Sequence, residues 1–479
     1  MLWILIEKEL KSIIKSPKFA ATFGVCAVLI LLSFFIGIQE YRASVAQYDS
    51  AIQLVDQTLS EASNPWQLSH PVYRRPDPMQ IFVSGVSYDI GRTSEISKGS
   101  DIKIEQSPYS NDPIFAVFRF LDFAFIVHVV LSLLAIVFTY DAVNGERERG
   151  TLKLVLSNSV PRAHYLFSKL VGLWIGLTAP ILLSMLFGVL LLLIFRIPMQ
   201  EIAWIKLMSL FGVSVLYYSF FITAALFVSS ITRRSSDSFL VLLILWVCLV
   251  LIVPRGATMA AEQFVVVPSV ADLQSQKDRY TMERSFEGGK ILRKVWADRE
   301  ANTASMSEEE KAEYMKNNQA RFMEENNATE AASNAKIAEF NRQLNENRRN
   351  LQTEQERLAF HLSRFSPASL YKLVAMNLCG TNTSMKTRYE ERMYRYREAF
   401  IAYQDSELKI WQEKWARQRN TGVVDNTPYE PRGMPRFEPP TEEVTEVFRS
   451  SIIDFGLLSI YTIIAFAGAF VAFLRYDVR

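Results

Sequence analysis

Apolar and polar positions alternate along this chain in long blocks rather than at the short periods of a soluble core. Six apolar runs stand out: Phe19–Ile38, Phe120–Tyr140, Leu170–Phe195, Trp204–Ser230, Phe239–Val253 and Ile452–Leu474. A bilayer-spanning helix needs about 20 such residues. The pattern therefore predicts an all-α polytopic membrane protein with six spans, at 19–39, 119–140, 170–195, 204–230, 237–254 and 450–474. Pro180 lies inside the third run and predicts a kink; Pro254 ends the fifth. Before the first run, Trp3, Ile6, Leu10, Ile13 and Ile14 recur at helical spacing opposite Glu7, Lys8, Glu9, Lys11 and Lys15. That pattern predicts an interfacial elbow helix over 1–18, broken at Ser16-Pro17. The first run is too long for a signal-peptide core and is expected to stay in the mature protein.

Two large polar segments separate the spans. The first, 40–118, opens with a stretch to Ala62 that suits a helix. Prolines and glycines then punctuate it, with weak alternation at Gln80–Val83 and Asp101–Ile104 that predicts short strands. A small mixed ectodomain is the expectation. The second, 255–449, is rich in Glu, Ala, Asn, Gln, Lys and Arg. It predicts helices over 272–301, 307–364 and 386–419, packed as antiparallel hairpins. The middle helix would be about 85 Å long at 1.5 Å per residue. Its apolar seam is thin: Met315, Phe322, Ile337, Phe340, Leu344 and Leu351. The third stretch carries Tyr389, Met393, Tyr396, Phe400, Tyr403 and Trp411 roughly on one face. A thin seam suits either a solvated spacer or a contact, with a periplasmic or envelope partner or across a dimer. A proline-rich connector over 424–440 leads back to the membrane.

Charge fixes the orientation. The N-terminus, the loop 141–169, the loop at Arg233-Arg234 and the C-terminus share one side and carry nearly all the Lys and Arg of the short segments, against Arg196 alone on the other. The positive-inside rule makes the first side cytoplasmic, so both large polar segments lie outside. A net charge of +2 excludes the basic excess of a nucleic-acid binder. Three cysteines, Cys26, Cys248 and Cys379, two of them in apolar runs, provide no disulfide framework.

No phosphate-binding glycine loop, no HExxH and no paired-cysteine motif occurs, and only four histidines are present. No metal or cofactor is expected on this chain. Ionisable groups inside spans are costly and usually face the bundle interior, which singles out His128 as a substrate or proton contact, with a satisfied packing histidine as the better account. Tyr217 is a second candidate for a pathway, although aromatic packing is the better account of it. Arg119 and Asp122 sit at the end of the second span, where snorkelling accounts for them.

The segment with the most specific pattern is Asp141–Lys169, a charged loop between two spans. Its sequence GERERGTLKLVLSNSVPRAHYLFSK resembles the cytoplasmic loop of ABC-2 type transporter permeases. The matching positions are Glu148, Gly150-Thr151-Leu152, Leu154 to Leu156, Arg162 and Lys169. Lys153 stands where that family usually has an acidic residue. Pro161 stands two residues later than the usual proline place, here Ser159. The stretch EKELKSIIKSPKF is similar to the family's elbow helix. The large 255–449 insert and PDPMQIFVSGV are similar to a subgroup with a big domain before the last span.

The resemblance implies a transport subunit powered in trans. Two permease subunits, identical or not, would pair, and separate ABC ATPase subunits holding ATP and Mg2+ would dock below. Glu146, Arg147, Glu148, Arg149, Gly150, Thr151, Leu152, Val155, Leu156 and Arg162 would form the ATPase-coupling surface. Of these, Leu152, Val155 and Leu156 would be the apolar anchor. Three readings follow: a permease exporting a substrate across a bacterial cytoplasmic membrane, the same engine acting mechanically on an envelope partner, or a non-ABC membrane scaffold or receptor.

Overall fold

A computed structural model of the protein describes residues 2–61, 64–65, 68, 70–96, 121–158, 160–304, 306–421, 431, 433–440 and 443–475. The described chain is overwhelmingly helical, and six of its helices are long and apolar enough to cross a membrane. They are Phe19–Glu61, Phe123–Glu148, Arg162–Ile194, Glu201–Ile231, Ser235–Phe264 and Thr445–Leu474, spans 1 to 6. The chain divides into two compact units, Met1–Ile252 with Arg364–Arg479, and Val253–Ser363.

The first unit is organised around span 4. Two thirds (67%) of its apolar window is buried, against 28%, 22% and 17% for spans 1, 5 and 6. Tyr217, Tyr218, Phe221, Ile222 and Ala225 of span 4 are closed off from solvent on successive faces. The lower burial of spans 1, 5 and 6 leaves apolar faces that lipid can cover. Pro180 lies within the unbroken helix Arg162–Ile194. Span 1 does not end with its apolar run, because the helix Pro17–Glu61 continues through the polar stretch after Ile38.

The elbow helix Leu2–Ile14 packs along span 3. Gly172 permits the approach: a Cβ there would sit 2.6 Å from the Glu9 Cβ. The first polar segment forms a two-stranded antiparallel sheet, β1 (His70–Tyr73) paired with β2 (Thr93–Ile96), with His70 opposite Ile96. The strand expected at Gln80–Val83 is instead entered by a 3-10 turn, Pro78–Ile81. Asp77 selects the turn, its carboxylate accepting the Met79 N–H at 2.8 Å. The strand expected at Asp101–Ile104 lies outside the described residues. Leu68, Val72 and Ile96 form a small core with Met393, Tyr396 and Phe400 of the helix Ser384–Thr421. The aromatic face read from that helix is thus used within the chain, except that Trp411 pairs with Trp415, 5.6 Å away.

The stretch expected as one ectodomain, 255–449, is divided between the two units. The twelve-residue helix Pro367–Leu378 belongs to the first unit and packs against spans 4 and 6. Leu370, Tyr371, Val374 and Ala375 are buried there. Ser366 caps it, accepting the Ala368 and Ser369 N–H groups while donating to the Leu249 carbonyl of span 5.

The second unit is a hairpin. Val270–Thr303 and Glu308–Ser363 run antiparallel, with Tyr280 on Phe340 (4.0 Å) and Arg299 over Phe322 (3.8 Å). Its turn ends in a capping box. The Glu310 N–H reaches the Ser307 hydroxyl at 3.3 Å, and the Ser307 N–H reaches the Glu310 carboxylate at 2.8 Å. Gln355 and Arg348 donate to the Val265 and Pro268 carbonyls and fix the other end.

Candidate functional site

The loop between spans 2 and 3 folds as two short helices, Asn144–Glu148 and Thr151–Ser157. Gly150 joins them at φ 72°, a left-handed conformation that glycine adopts without penalty. The Thr151 hydroxyl donates to the Glu146 carbonyl at 3.1 Å and closes the corner.

Glu146 points inward. One carboxylate oxygen accepts Lys169 at 2.9 Å and Lys8 at 3.2 Å; the other accepts the Tyr165 hydroxyl at 2.5 Å. Lys169 also reaches Glu9, at 3.0 Å. Two carboxylates and two ammonium groups therefore close a neutral network joining the elbow helix, the loop and span 3. Glu146, Glu9 and Lys169 are all buried. Buried charges are tolerated when paired and hydrogen-bonded in this way.

The ends of spans 4, 5 and 6 are tied to the same loop. Asn144 donates to the Thr232 hydroxyl and the Arg234 carbonyl, and accepts from Ser229 at the end of span 4. Glu148 accepts the Ser235 N–H at 2.9 Å and its hydroxyl at 2.8 Å, capping the start of span 5. Arg162 donates to the Leu474 carbonyl at 2.8 Å at the end of span 6. Tyr165 stacks on Phe473 at 5.2 Å.

The expected coupling residues thus separate into two sets. Glu146 and Leu152 are buried and are not on an exposed surface. Val155 and Leu156 are partly buried and lie against the protein's own core, so the expected apolar anchor is largely used internally. Arg149, Gly150 and Thr151 are exposed, as are Lys153, Leu154 and Ser157. Leu154, 66% exposed, is the apolar side chain this helix offers outward. The inward set includes residues that periodicity alone did not single out: Glu9, Asn144, Tyr165, Ser229 and Ser235. The one available signal was their position, polar residues at or near the ends of apolar runs.

The two pathway candidates meet inside the bundle. The Tyr217 hydroxyl donates to the His128 carbonyl at 2.9 Å, and the rings stack at 6.2 Å. Tyr217 is fully buried and stacks on Tyr371 at 4.8 Å, so it packs rather than lines an opening. His128 lies in a π-helical turn, Ile126–Leu131, and a second π turn, Val247–Ile252, interrupts span 5. Wide turns leave carbonyls poorly served. Tyr217 and Ser132 serve that of His128, and Ser366 serves that of Leu249. The short helix Pro367–Leu378 contacts both turns. The His128 Nε2 has no hydrogen-bond partner among the described residues. No group of metal-ligating side chains occurs among them either.

Six helices long and apolar enough to cross a membrane, with a charged loop hydrogen-bonded to several of their ends, define a multi-pass membrane protein. The family model described as "ABC-2 family transporter protein" matches residues 3–478, nearly the whole chain. The protein belongs to that family and is a permease component of an ABC transporter, the transmembrane part and not the ATPase. Membership implies association with ABC ATPase subunits. No curated protein matches the chain.

Proposed function

We propose that this chain is the membrane subunit of an exporter in a bacterial cytoplasmic membrane, with both termini cytoplasmic. ATP and Mg2+ are held by separate ATPase subunits, and a second permease subunit, identical or related, completes the transporter. The observation that carries the reading is the bracing of the 141–169 loop, which hydrogen-bonds to elements at the ends of spans 3 to 6 and to the elbow helix. A displacement of that loop is transmitted to all of them together. The docking face is the exposed strip of Arg149, Thr151, Lys153, Leu154 and Ser157, and the inward set transmits the movement. The match to an ABC-2 family removes the non-ABC scaffold reading.

Copurification with the cognate ATPase tests the assignment. Leu154→Asp adds a charge where the side chain touches little of its own protein. It is expected to weaken ATPase association at least tenfold with unchanged thermal unfolding. Equal association would overturn the dock. Glu148→Lys is a poorer probe, because Glu148 also caps span 5.

A mechanical output is the second reading, favoured by the hairpin Val253–Ser363. Its longer helix has 56 residues, and the segment as a whole forms a compact unit of its own. Excising 289–331 shortens both hairpin helices at matching levels. An exporter keeps ATP-driven substrate movement after this excision. A mechanical device keeps ATP hydrolysis and loses its output.

A further inference from the structure

Near the turn of the hairpin a cavity of about 400 Å3 opens between its two helices, within the size range of ligand pockets. Trp296 and Arg299 line it from Val270–Thr303, and Met315, Lys316, Phe322 and Met323 from Glu308–Ser363. The lining holds two cations, Arg299 and Lys316, and no carboxylate. Arg299 is 7% exposed. Its guanidinium lies 3.8 Å from the Phe322 ring and 5.2 Å from the Trp296 ring. One of its terminal nitrogens, Nη2, donates to Glu325 at 3.1 Å, a carboxylate that Arg321 shares at the same distance. The other, Nη1, is closed off from water and finds no acceptor among the described residues. A buried N–H group left without an acceptor is costly, so the floor of this cavity is short of one acceptor.

The lining also selects the occupant. Arg299 and Lys316 suit an anion, and the Phe322, Met315 and Trp296 side chains suit an apolar group beside it. Trp296 is 50% exposed and Met323 57%, apolar surface that nothing in the hairpin covers. A hairpin two helices thick has no further layer to close over a small molecule, whereas pocket ligands are mostly buried. A protein segment brings its own cover. A second copy of this chain fits poorly, because like faces meet in a two-fold pair and would set Arg299 and Lys316 against the same cations. Reaching Nη1 requires the rim to give. The methionines of the rim are unbranched and adaptable, and Trp and Arg are the side chains that anchor interfaces.

We propose that this cavity docks a segment of a partner protein that presents a carboxylate beside an apolar side chain. The carboxylate accepts from Nη1 of Arg299 and from the Lys316 ammonium, as charge-assisted hydrogen bonds. The apolar side chain lies against Phe322, Met315 and Met323, under the Trp296 ring. The site stands whether the transporter exports a substrate or works mechanically.

The test uses the full chain in neutral detergent, with methyl NMR of isotope-labelled methionines reading Met315 and Met323, assigned by Met315→Leu and Met323→Leu. The probe is an end-blocked peptide, Ala-Leu-Glu-Phe-Ala, and its control carries Gln in place of Glu. The acidic peptide is expected to bind about tenfold more tightly than the control. Lys316→Gln, at an exposed position, is expected to weaken the acidic peptide about threefold and to leave the control unchanged. Arg299→Gln is expected to bring the two peptides to equal affinity. Equal binding of the two peptides by wild type, or an unchanged preference in both variants, overturns the proposal. Should Arg299→Gln loosen the hairpin, seen as faster hydrogen exchange, the peptide comparison on wild type and the Lys316→Gln result decide the matter. Phenylacetate, a free apolar carboxylate, is the second probe. Binding as tight as that of the acidic peptide overturns the protein-segment assignment in favour of a small acid. Methyl signals that move with protein concentration before any peptide is added would place a second copy in the cavity, and the proposal fails.

Discussion

The loop network and the hairpin Val253–Ser363 use the same kinds of charged residue to opposite ends. At the loop, Glu146 and Lys169 have side chains 8% and 6% exposed, 2.9 Å apart, with Glu9 and Lys8 completing the balance. In the hairpin, Arg321–Glu325 and Arg342–Glu339 pair one turn apart on a single helix, each side chain about half exposed or more. The first set joins elements far apart in sequence; the second stays within one element. Charges taken out of water are expensive unless every partner is present, whereas solvated pairs contribute little. The loop is therefore intolerant of single changes, and the hairpin is a surface on which sequence can drift.

The largest effect is expected at Lys169. Lys169→Met leaves Glu9 and Glu146 with the half-exposed Lys8 as their shared cation in place of the buried one, and breaking a buried pair in this way costs about 3–5 kcal/mol. Thermal unfolding in detergent should show the loss. Adding Glu146→Gln should recover part of it, since removing both partners leaves less charge stranded. A Lys169→Met protein as stable as wild type would place the network in water and erase the contrast with the hairpin.

Next comes Gly172, where the elbow helix meets span 3. Gly172→Val places side-chain carbons where the Glu9 Cβ now lies, and overpacking of this kind costs about 1–3 kcal/mol. The elbow helix must shift, which pulls Glu9 from Lys169. The variant should therefore lower the melting temperature and raise hydrogen exchange in Leu2–Ile14 together. A shift in one without the other would separate elbow packing from the charge network.

These two residues also show what could be read in the chain. Long apolar runs state their own fate, because a stretch such as Leu170–Phe195 can only be satisfied as a helix in lipid. The loop was legible as a polar block that hydrocarbon rejects, and its inward and outward faces were not. Glu146 and Glu148 lie two residues apart in an alternating charge run, yet one is buried and the other caps span 5. Leu152 and Leu154 are chemically identical, and only packing decides that the first is closed off and the second exposed. Pro367–Leu378 was unreadable for another reason: twelve residues are too few to span a bilayer, and a short apolar run does not say whether it sits in a bundle. The π turns leave no mark in composition, since they depend on hydroxyls that are distant in sequence.

Within the hairpin the aromatic clamp should outweigh the charges. Tyr280 stacks on Phe340 at 4.0 Å and lies one turn from Arg284, whose guanidinium sits 5.1 Å from its ring. Stacked aromatic pairs add about 0.5–1.5 kcal/mol beyond the area they bury. Tyr280→Ala is expected to raise hydrogen exchange in both hairpin helices. The melting of the helix bundle should not move, because the hairpin is a separate compact unit. A matching fall in bundle stability would show that the two units unfold as one.

The smallest effect is expected at Arg342. Its side chain is 65% exposed, and its partner Glu339 lies one turn away on the same helix. Water solvates both groups before and after folding, so their attraction is screened and holding two long side chains in one geometry offsets much of it. Gln343 also donates to Glu339, at 2.8 Å, so the carboxylate keeps a partner when Arg342 is lost. Arg342→Ala should leave hairpin hydrogen exchange unchanged, and a double-mutant cycle with Glu339→Ala should show no coupling above error. Raising the salt concentration should make no further difference. Lys169→Met is its counterpart at the loop, where salt cannot stand in for the missing ammonium because the site is closed to solvent. A strong, salt-sensitive coupling at Arg342 would mean that this face of the hairpin is covered by another chain in the assembled transporter, which is where a search for an envelope partner would begin.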